Sequence, residues 1–500
     1  MSEPMITSKT DWTPNLISRV YDEIEKIAFE ELDLKDKVYP NQVEIISSEQ
    51  MIDAYSSIGL PVHYNHWSFG KDFLRTKQAY DRGQQGLAYE IVINSSPCIS
   101  YLMEDNTMMM QALVIAHAAF GHNAVFKNNV CFQQWTNAGS IVDYMLFARD
   151  YIRQCEDRYG PDEVEMVLDA AHSLASHSVD KFSRKHEPKM SEEARLKKLI
   201  DEENERQLQK DVILDRVHID WGEPVKNDEA GTLDDAEENL LYFIMKNAPS
   251  MENWKREILR IVHKVHQYFY PQGMTQVLNE GFASFTHYYI MTRLEEKGIL
   301  SSDAFLAFID SHAGVLYQPE YDKKWYSGLN PYSLGFNILM DIKRICENPT
   351  DEDKEWFPYL IGRRWQEAIQ EAVFEHRDDS FIQQYLSPKV IRDMKLFAVK
   401  VGDNKIKQSR ASAARAYVSD IHDEVGYKAI RETLAQSYER VNRVPQICVT
   451  RADLNGDRTL YLKYTSYRGR SLDRENGIAV AEYIDYLWGY PVIIDDGVQE

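Results

Sequence analysis

Between Val277 and His287 the chain reads Val-Leu-Asn-Glu-Gly-Phe-Ala-Ser-Phe-Thr-His, an apolar run that carries two ionisable side chains. On a helix turning about 100° per residue, Glu280, Ser284 and His287 fall on one face, in line with Val277, Met291 and Leu294. That stripe belongs in a core. Burying a carboxylate or an imidazole costs several kcal/mol unless it is paired or bound to metal, so the fold must bring partners to this helix. The segment Ala116-His117-Ala118-Ala119-Phe120-Gly121-His122-Asn123 can supply them. Two imidazoles and a carboxylate, His117, His122 and Glu280, are a zinc-type ligand set.

The upstream histidines need a special local geometry to serve together. Asp105 or Asn106 is placed to cap their helix, Met110, Leu113, His117 and Phe120 form its inward face, and Gly121 reads as a C-terminal stop that leaves His122 just past the last turn. Five residues apart on an α-helix, the two rings would be separated by about 140°, which is poor for chelation. A π-bulge, or a glycine-terminated last turn, brings both to one point. Residues 86–94, Gly-Leu-Ala-Tyr-Glu-Ile-Val-Ile-Asn, predict a strand over 87–94 with Leu87, Tyr89, Ile91 and Ile93 on one face and Glu90 and Asn94 on the other. Glu90 is then a carboxylate in an apolar neighbourhood, either a salt-bridge partner or a substrate or acid/base group. Lys127-Asn128-Asn129 reads as a polar loop that holds a substrate carboxylate or is simply solvated.

The rest of the chain up to residue 394 is mainly α, with a small β component. Thr13-Pro14 begins an amphipathic helix running to about Leu32. Ser47 and Gln50 make a capping box. His63-Tyr64-Asn65-His66-Trp67 is an aromatic loop ahead of a helix over 68–80; its histidines are ligands or hydrogen-bonded surface or core groups. Helices follow near 140–158 and 161–180, the second with His172 and His177, which lack a buried carboxylate stripe beside them. Ser250 opens a helix to Phe269 whose His263 and His266 read as surface groups. Pro271 separates it from the Glu280 helix, which ends at Gly298, and Asn330-Pro331 opens another. The composition divides this region into a first helical part over 1–180 with His117 and His122, a charged helix and linker over 181–237, and a second helical part over 238–394 with Glu280 and His287.

Over 395–500 the period changes. Strands near 416–421, 446–450, 459–465 and 490–494, with helices over 424–441 and 475–488, give the order βαββαβ, an α+β ferredoxin-like module. Asp453, Asn455 and Asp457 imitate the start of an EF-hand loop, but Arg458 stands where its glycine is needed, so a hairpin turn is expected.

Charge and cysteine usage narrow the function classes. With 57 Lys+Arg against 79 Asp+Glu the formal charge is −22, which opposes binding to a phosphate backbone and makes nucleic acid an unlikely class of partner. The cysteines, 98, 131, 155, 346 and 448, form neither a disulfide framework nor a CxxC site, so a metal site must draw on His, Asp or Glu. The first nine residues lack the basic start and apolar core of a signal peptide. No run approaches the roughly 20 apolar residues of a membrane span, and a cytoplasmic location is expected.

Over nearly its full length the chain resembles the SpoVR (stage V sporulation protein R) family, especially the YcgB-like branch. The matching segments are His66-Trp67-Ser68-Phe69-Gly70-Lys71, residues 86–94, His117 to Asn129, Asn279 to His287, Asn330 to Phe336 and Leu386-Ser387-Pro388-Lys389. That resemblance implies a cytoplasmic bacterial protein linked to sporulation, cortex formation or stationary-phase stress, with a PrkA-type serine protein kinase and a von Willebrand-A-like protein as partners. It implies no settled activity. Locally, Leu278-Asn279-Glu280-Gly281-Phe282-Ala283 is similar to the third-ligand helix of aminopeptidase-N-like gluzincin metallopeptidases, and Ile115-Ala116-His117 to the entry of their HExxH helix. The carry-over again makes His117, His122 and Glu280 zinc ligands in a zincin-like site. The chain departs from that pattern: Ala118 stands at the general-base glutamate, the second histidine comes one residue late, and the glutamate lies far beyond the usual separation. A hydrolase would need another base, for which His287 and Glu90 are the candidates.

Two readings follow. One is a zinc-dependent hydrolase of amide or peptide bonds, in peptides or peptidoglycan precursors. The other is a non-catalytic regulatory or scaffold protein whose polar cluster is structural and whose acidic surface and C-terminal module bind the kinase. In a third, blander one Glu280, Ser284 and His287 hydrogen-bond across a helical core.

Overall fold

The computed structural model describes residues 3–56, 63–67, 71, 74, 90–180, 239–319, 328–396, 424–439, 446–452, 454, 456–465 and 474–495. The expected helix over 68–80 (apart from 71 and 74), the charged segment over 181–237 and the strand near 416–421 lie outside the described residues, as do 87–89.

Helix α1 (Pro14–Glu30) starts where Thr13 accepts from Leu16 N–H, and it buries Ile17, Val20, Ile24 and Ile27. Strand β1 (Asn41–Ile46) leads into α2 (Ser48–Ser56), opened by the Ser47/Gln50 box. Strands β2 (Glu90–Ile93) and β3 (Cys98–Met103) complete a sheet of order β1-β3-β2, with β1 parallel and β2 antiparallel to β3. This sheet is a wall between two cores, and strand alternation decides which side chain goes where. Cys98 and Leu102 face the first core, Ile99 and Met103 the second. On β2, Ile91 and Ile93 also enter the second core, while Val92 packs against the first. Glu90 shares the Val92 face and is thereby directed to the first core's side.

A continuous helical run follows: α3 (Met108–Ile115), a π-helical turn (Ala116–His122) and α4 (Asn123–Asn128). Its cap is Thr107, which accepts from Met110 N–H, and neither Asp105 nor Asn106. Gly121 is no stop, since the helix continues through His122 and Asn123. Helices α5 (Val130–Trp135), α6 (Ile141–Tyr159), α7 (Pro161–Ser173), α8 (Leu240–Asn247) and α9 (Asn253–Phe269) come next. Residue Glu252, not Ser250, precedes α9 as its cap. After a 3-10 turn (Pro271–Met274) comes α10 (Gln276–Glu296), then α11 (Ser302–Val315) and α12 (Pro331–Glu347). The short helices α13 (Asp351–Trp356), α14 (Trp365–Phe374), α15 (Asp378–Tyr385) and α16 (Pro388–Asp393) close the first core.

Small residues let the central helices touch backbone to backbone. A Cβ on Gly121 would lie 2.5 Å from Ala283 Cα, one on Gly281 would lie 2.5 Å from Gly335 Cα, and one on Gly335 would lie 2.2 Å from Val277 O. So α10 is clamped between the π turn and α12. Its N-terminus is capped from a distance, because the buried Asp378 carboxylate accepts from Val277 N–H and Leu278 N–H, both at 3.0 Å.

Helix α17 (Glu424–Tyr438) packs on the first core through Tyr427 and Ala435. Strands β4 (Gln446–Ala452) and β5 (Leu460–Thr465), helix α18 (Arg474–Trp488) and β6 (Val492–Asp495) form a second sheet of order β4-β5-β6. Strands β4 and β5 are an antiparallel hairpin, whereas β6 runs parallel to β5 across α18. The last five elements of the expected βαββαβ order are therefore present, but β6 pairs directly with β5, where a ferredoxin-like sheet has the first strand between them. Among the described residues this sheet carries no core of its own. Ile447, Val449, Leu460, Leu462, Ile484, Leu487 and Trp488 join Val164, Phe243 and Ile258 in the second core, where the Trp488 and Phe243 rings stack at 5.9 Å. Among the described residues no helix is long and apolar enough to cross a membrane.

Candidate metal centre

Each polar group of the site is placed by a different element. The π turn lengthens the repeat so that the Asn123 N–H reaches Ala118 O, five residues back. His117 and His122 then project from the same side, with ring centroids 4.6 Å apart and planes nearly perpendicular. Of the two geometries that could unite them, the π turn is the one present. Facing them, β2 brings Glu90 and α10 brings Glu280. Glu90 Oε1 is 3.2 Å from His117 Nε2 and 3.9 Å from His122 Nε2. Glu280 Oε2 is 3.7 Å and 3.5 Å from the same two nitrogens. Glu90, His117 and His122 offer ligand atoms all within 4.8 Å of one another.

The far side of each imidazole is tied down. His122 Nδ1 lies 2.7 Å from Asn279 Oδ1, and His117 Nδ1 lies 2.8 Å from His287 Nδ1. Because the hydrogen bond at one ring nitrogen sets the state of the other, an Nδ1–H held by these partners leaves both Nε2 lone pairs aimed at the carboxylates. His117 also stacks on Tyr332 at 6.4 Å, and His122 on Phe126 at 6.0 Å. Glu90 Oε2 and Glu280 Oε2 accept no hydrogen bond although both atoms are buried. A cation would satisfy those oxygens and the two lone pairs together, so the donor set could hold a metal ion. The side chains of Glu90 and Glu280 keep 19% and 22% of their surface exposed, which gives the pocket an open side.

Electrostatics separates the two carboxylates. Burial, with the Glu280 charge beside it, pushes Glu90 well above the ordinary carboxylate range. Burial also pushes Glu280 up, but His122, His117 and a hydrogen bond from Tyr332 outweigh it and hold that group below its ordinary value. Three imidazoles in a row running back from the pocket are driven toward the neutral form: burial lowers His117 to about 4 and, with His117 nearby, His312 to about 4, while His287 falls well below its usual value.

His287 does not open onto the pocket. Its Nδ1 meets His117 and its Nε2 lies 2.7 Å from His312 Nδ1, so both nitrogens are engaged behind the first ring and the expected base role does not suit it. Ser284 is buried on the same stripe. Periodicity and motif assign no role to Asn279, His312 or Tyr332. His312 had a signal, for Ala304, Phe308 and His312 recur at four-residue spacing and are the buried face of α11. Asn279 had only its place beside Glu280.

The other candidates fall elsewhere. Lys127 Nζ donates to Val38 O, Asn128 to Lys37 O, and Asn129 to Val373 O and His376 O, so this segment ties loops together. His63 and His66 gather with His172 and His266 in a second group away from the pocket. There His66 Nε2 meets Asp169 at 2.9 Å, His172 Nε2 meets Tyr64 OH at 2.9 Å and His266 Nδ1 meets Ser178 Oγ at 2.7 Å. His263 bonds Ser178 O, and with His266 it is half-buried, not the surface group expected.

Fold and site together define a mainly helical protein with small sheets, built around a pocket of two histidines and two glutamates that could hold a metal ion. The model for "SpoVR like protein" matches residues 11–443 and that for "SpoVR-like C-terminal domain" matches residues 445–497. The chain belongs to the SpoVR family. It is 48% identical over 493 residues to "Uncharacterized protein YcgB" of Escherichia coli (strain K12), covering 97% of this chain and 92% of that one. No solved structure matches.

Proposed function

We propose that this SpoVR-family protein is a metal-dependent hydrolase of amide or peptide bonds, with His117, His122 and Glu280 holding a zinc-type ion and Glu90 as its acid/base group. The observation that carries the reading is the arrival of Glu90 from β2 in the pocket of His117 and His122. It supplies from another element the carboxylate that Ala118 does not provide on the histidine helix. A bound ion of this type polarises a carbonyl and stabilises developing negative charge. Glu280, kept ionised by its neighbours, suits the ligand role, whereas the raised pKa of Glu90 suits a group that takes a proton from an attacking water and returns it to the leaving nitrogen. Asn279 and His287 orient the two imidazoles, and Tyr332 orients Glu280. We propose with it the setting that the resemblance implies, sporulation, cortex formation or stationary-phase stress beside a PrkA-type kinase, which co-purification would check.

Elemental analysis of the untagged protein should find about one equivalent of zinc or a similar metal. Glu280→Gln and His117→Ala should lose it. Glu90→Gln should keep it and abolish turnover of a peptide library, and loss of metal from Glu90→Gln would instead make Glu90 a ligand. Metal retention with no turnover in the native protein would refute catalysis and favour a structural site in a scaffold. A metal-free, fully folded protein whose melting temperature is unmoved by Zn²⁺ would overturn the metal assignment.

A further inference from the structure

His117, His287 and His312 stand in a row, linked at 2.8 Å and 2.7 Å. The last ring sits among aromatic side chains, stacked on Tyr288 at 5.0 Å and meeting Phe336 at 5.0 Å and Phe308 at 5.6 Å. Such surroundings would suit an apolar residue, so three polar rings in sequence need a reason. A neutral imidazole has one N–H and one lone pair, and a choice made at one ring therefore fixes the next. When His117 Nε2 offers its lone pair to a cation, its Nδ1–H donates to His287 Nδ1. His287 Nε2–H then donates to His312 Nδ1, and His312 keeps its hydrogen on Nε2. When His117 Nε2–H donates to Glu90 Oε1 instead, at 3.2 Å, every bond in the row reverses and His312 is left with a lone pair at Nε2.

We infer that His287 and His312 are positioning residues acting through His117, and that the row couples cation occupancy of the pocket to the face that His312 presents on α11. The inference rests on the metal reading of the pocket. Between the two arrangements no ring changes charge: one proton leaves at the Glu90 end and one enters at His312 Nε2. Asn279 holds His122 by a single bond and extends no further in this way among the contacts described, so the coupling belongs to the His117 side.

The test uses full-length protein with ¹⁵N-labelled histidine and Zn²⁺ alone as the probe. In the native protein, zinc should move the His312 hydrogen from Nδ1 to Nε2. His287→Leu, which removes the acceptor behind His117, should weaken zinc binding about 10–100-fold, while His287→Asn, which restores an acceptor there, should recover most of it. A His312 tautomer that ignores zinc bound to the native protein would overturn the coupling, and equal zinc affinity of the Leu and Asn variants would overturn the positioning role. A native protein that takes no zinc refutes the metal reading alone. The row is then tested in metal-free protein, where His312→Phe should shift the His117 tautomer and an unchanged spectrum would refute it. That comparison stands even where His287→Leu fails to fold.

Discussion

Replacing Gly281 by alanine should destabilise the protein and disturb the pocket at once. The new Cβ would lie 2.5 Å from Gly335 Cα and 2.7 Å from Gly335 C, where ordinary contact begins at 3.4 Å, so α10 and α12 must part by about 0.9 Å. Both obstructing atoms are backbone, and no rotamer change relieves them. Overpacking of a close-packed core costs about 1–3 kcal/mol, and the helix preference of alanine returns about 1 kcal/mol. With a backbone clash the upper end applies, leaving a net loss of about 2 kcal/mol. Gly314 in α11 is the internal control: a Cβ there meets nothing within 4 Å, and its φ is not left-handed. Gly314→Ala should therefore stabilise by about 0.5–1 kcal/mol. Glu280 precedes Gly281, so the same displacement moves a carboxylate relative to His117 and His122 and should weaken zinc binding in the first variant only. Urea midpoints and zinc titrations of the two variants measure both effects. Equal stability of Gly281→Ala and Gly314→Ala would refute the close crossing of α10 and α12.

The metal-free protein should lose stability on acidification between about pH 6.5 and pH 4. His63, His117, His266 and His312 have folded values lowered to about 4 by burial, so in this window the unfolded chain takes up protons that the folded one refuses. His172 and His287 are lowered further still, and the raised values of Glu90 and Glu156 act in the opposite sense as two groups against six; a melting temperature unchanged from pH 7 to pH 4.5 would contradict this. Asn279→Ala removes the acceptor behind His122 and should weaken zinc binding about 10–100-fold, read by competition with a chelator. Asp378→Ala leaves two buried N–H groups of α10 without their acceptor and should cost about 1–3 kcal/mol in denaturant unfolding. Ending the chain at residue 444 removes Trp488 and its neighbours from the second core, so the shortened protein should aggregate where the full chain does not; a soluble form melting at the same temperature would show that the sheet is dispensable.

Much of the site was legible because periodicity reports burial directly. The apolar run from Val277 to His287 marks a buried helix, although α10 is buried there on every side and not along one stripe, with Glu280 alone half-buried; alternation had to separate Glu90 from Ile91 and Ile93 on any strand. The helix Gln276–Glu296, the cap at Thr13 and the cap at Asn330 follow from local chemistry that needs no distant partner. The C-terminal hairpin was readable for the same reason.

What the sequence could not decide was set by segments that meet only in three dimensions. Spacing allowed His117 and His122 either a π turn or a glycine-terminated end; the structure has the π turn, with Gly121 packed against the Ala283 backbone and the helix continuing beyond it. His287 looks like a base in one dimension because its nitrogens are uncommitted there, and only the tertiary structure shows that His117 and His312 occupy both. His263 and His266 look exposed beside Lys264 and Gln267 until Ser178, some 85 residues away, packs onto them. Local pattern thus marked which runs enter a core, but not the burial of single polar groups such as His263 and His266. Tertiary packing determined which nitrogen and which oxygen face the pocket, because hydrogen-bond direction depends on the partner, and every partner here comes from another element.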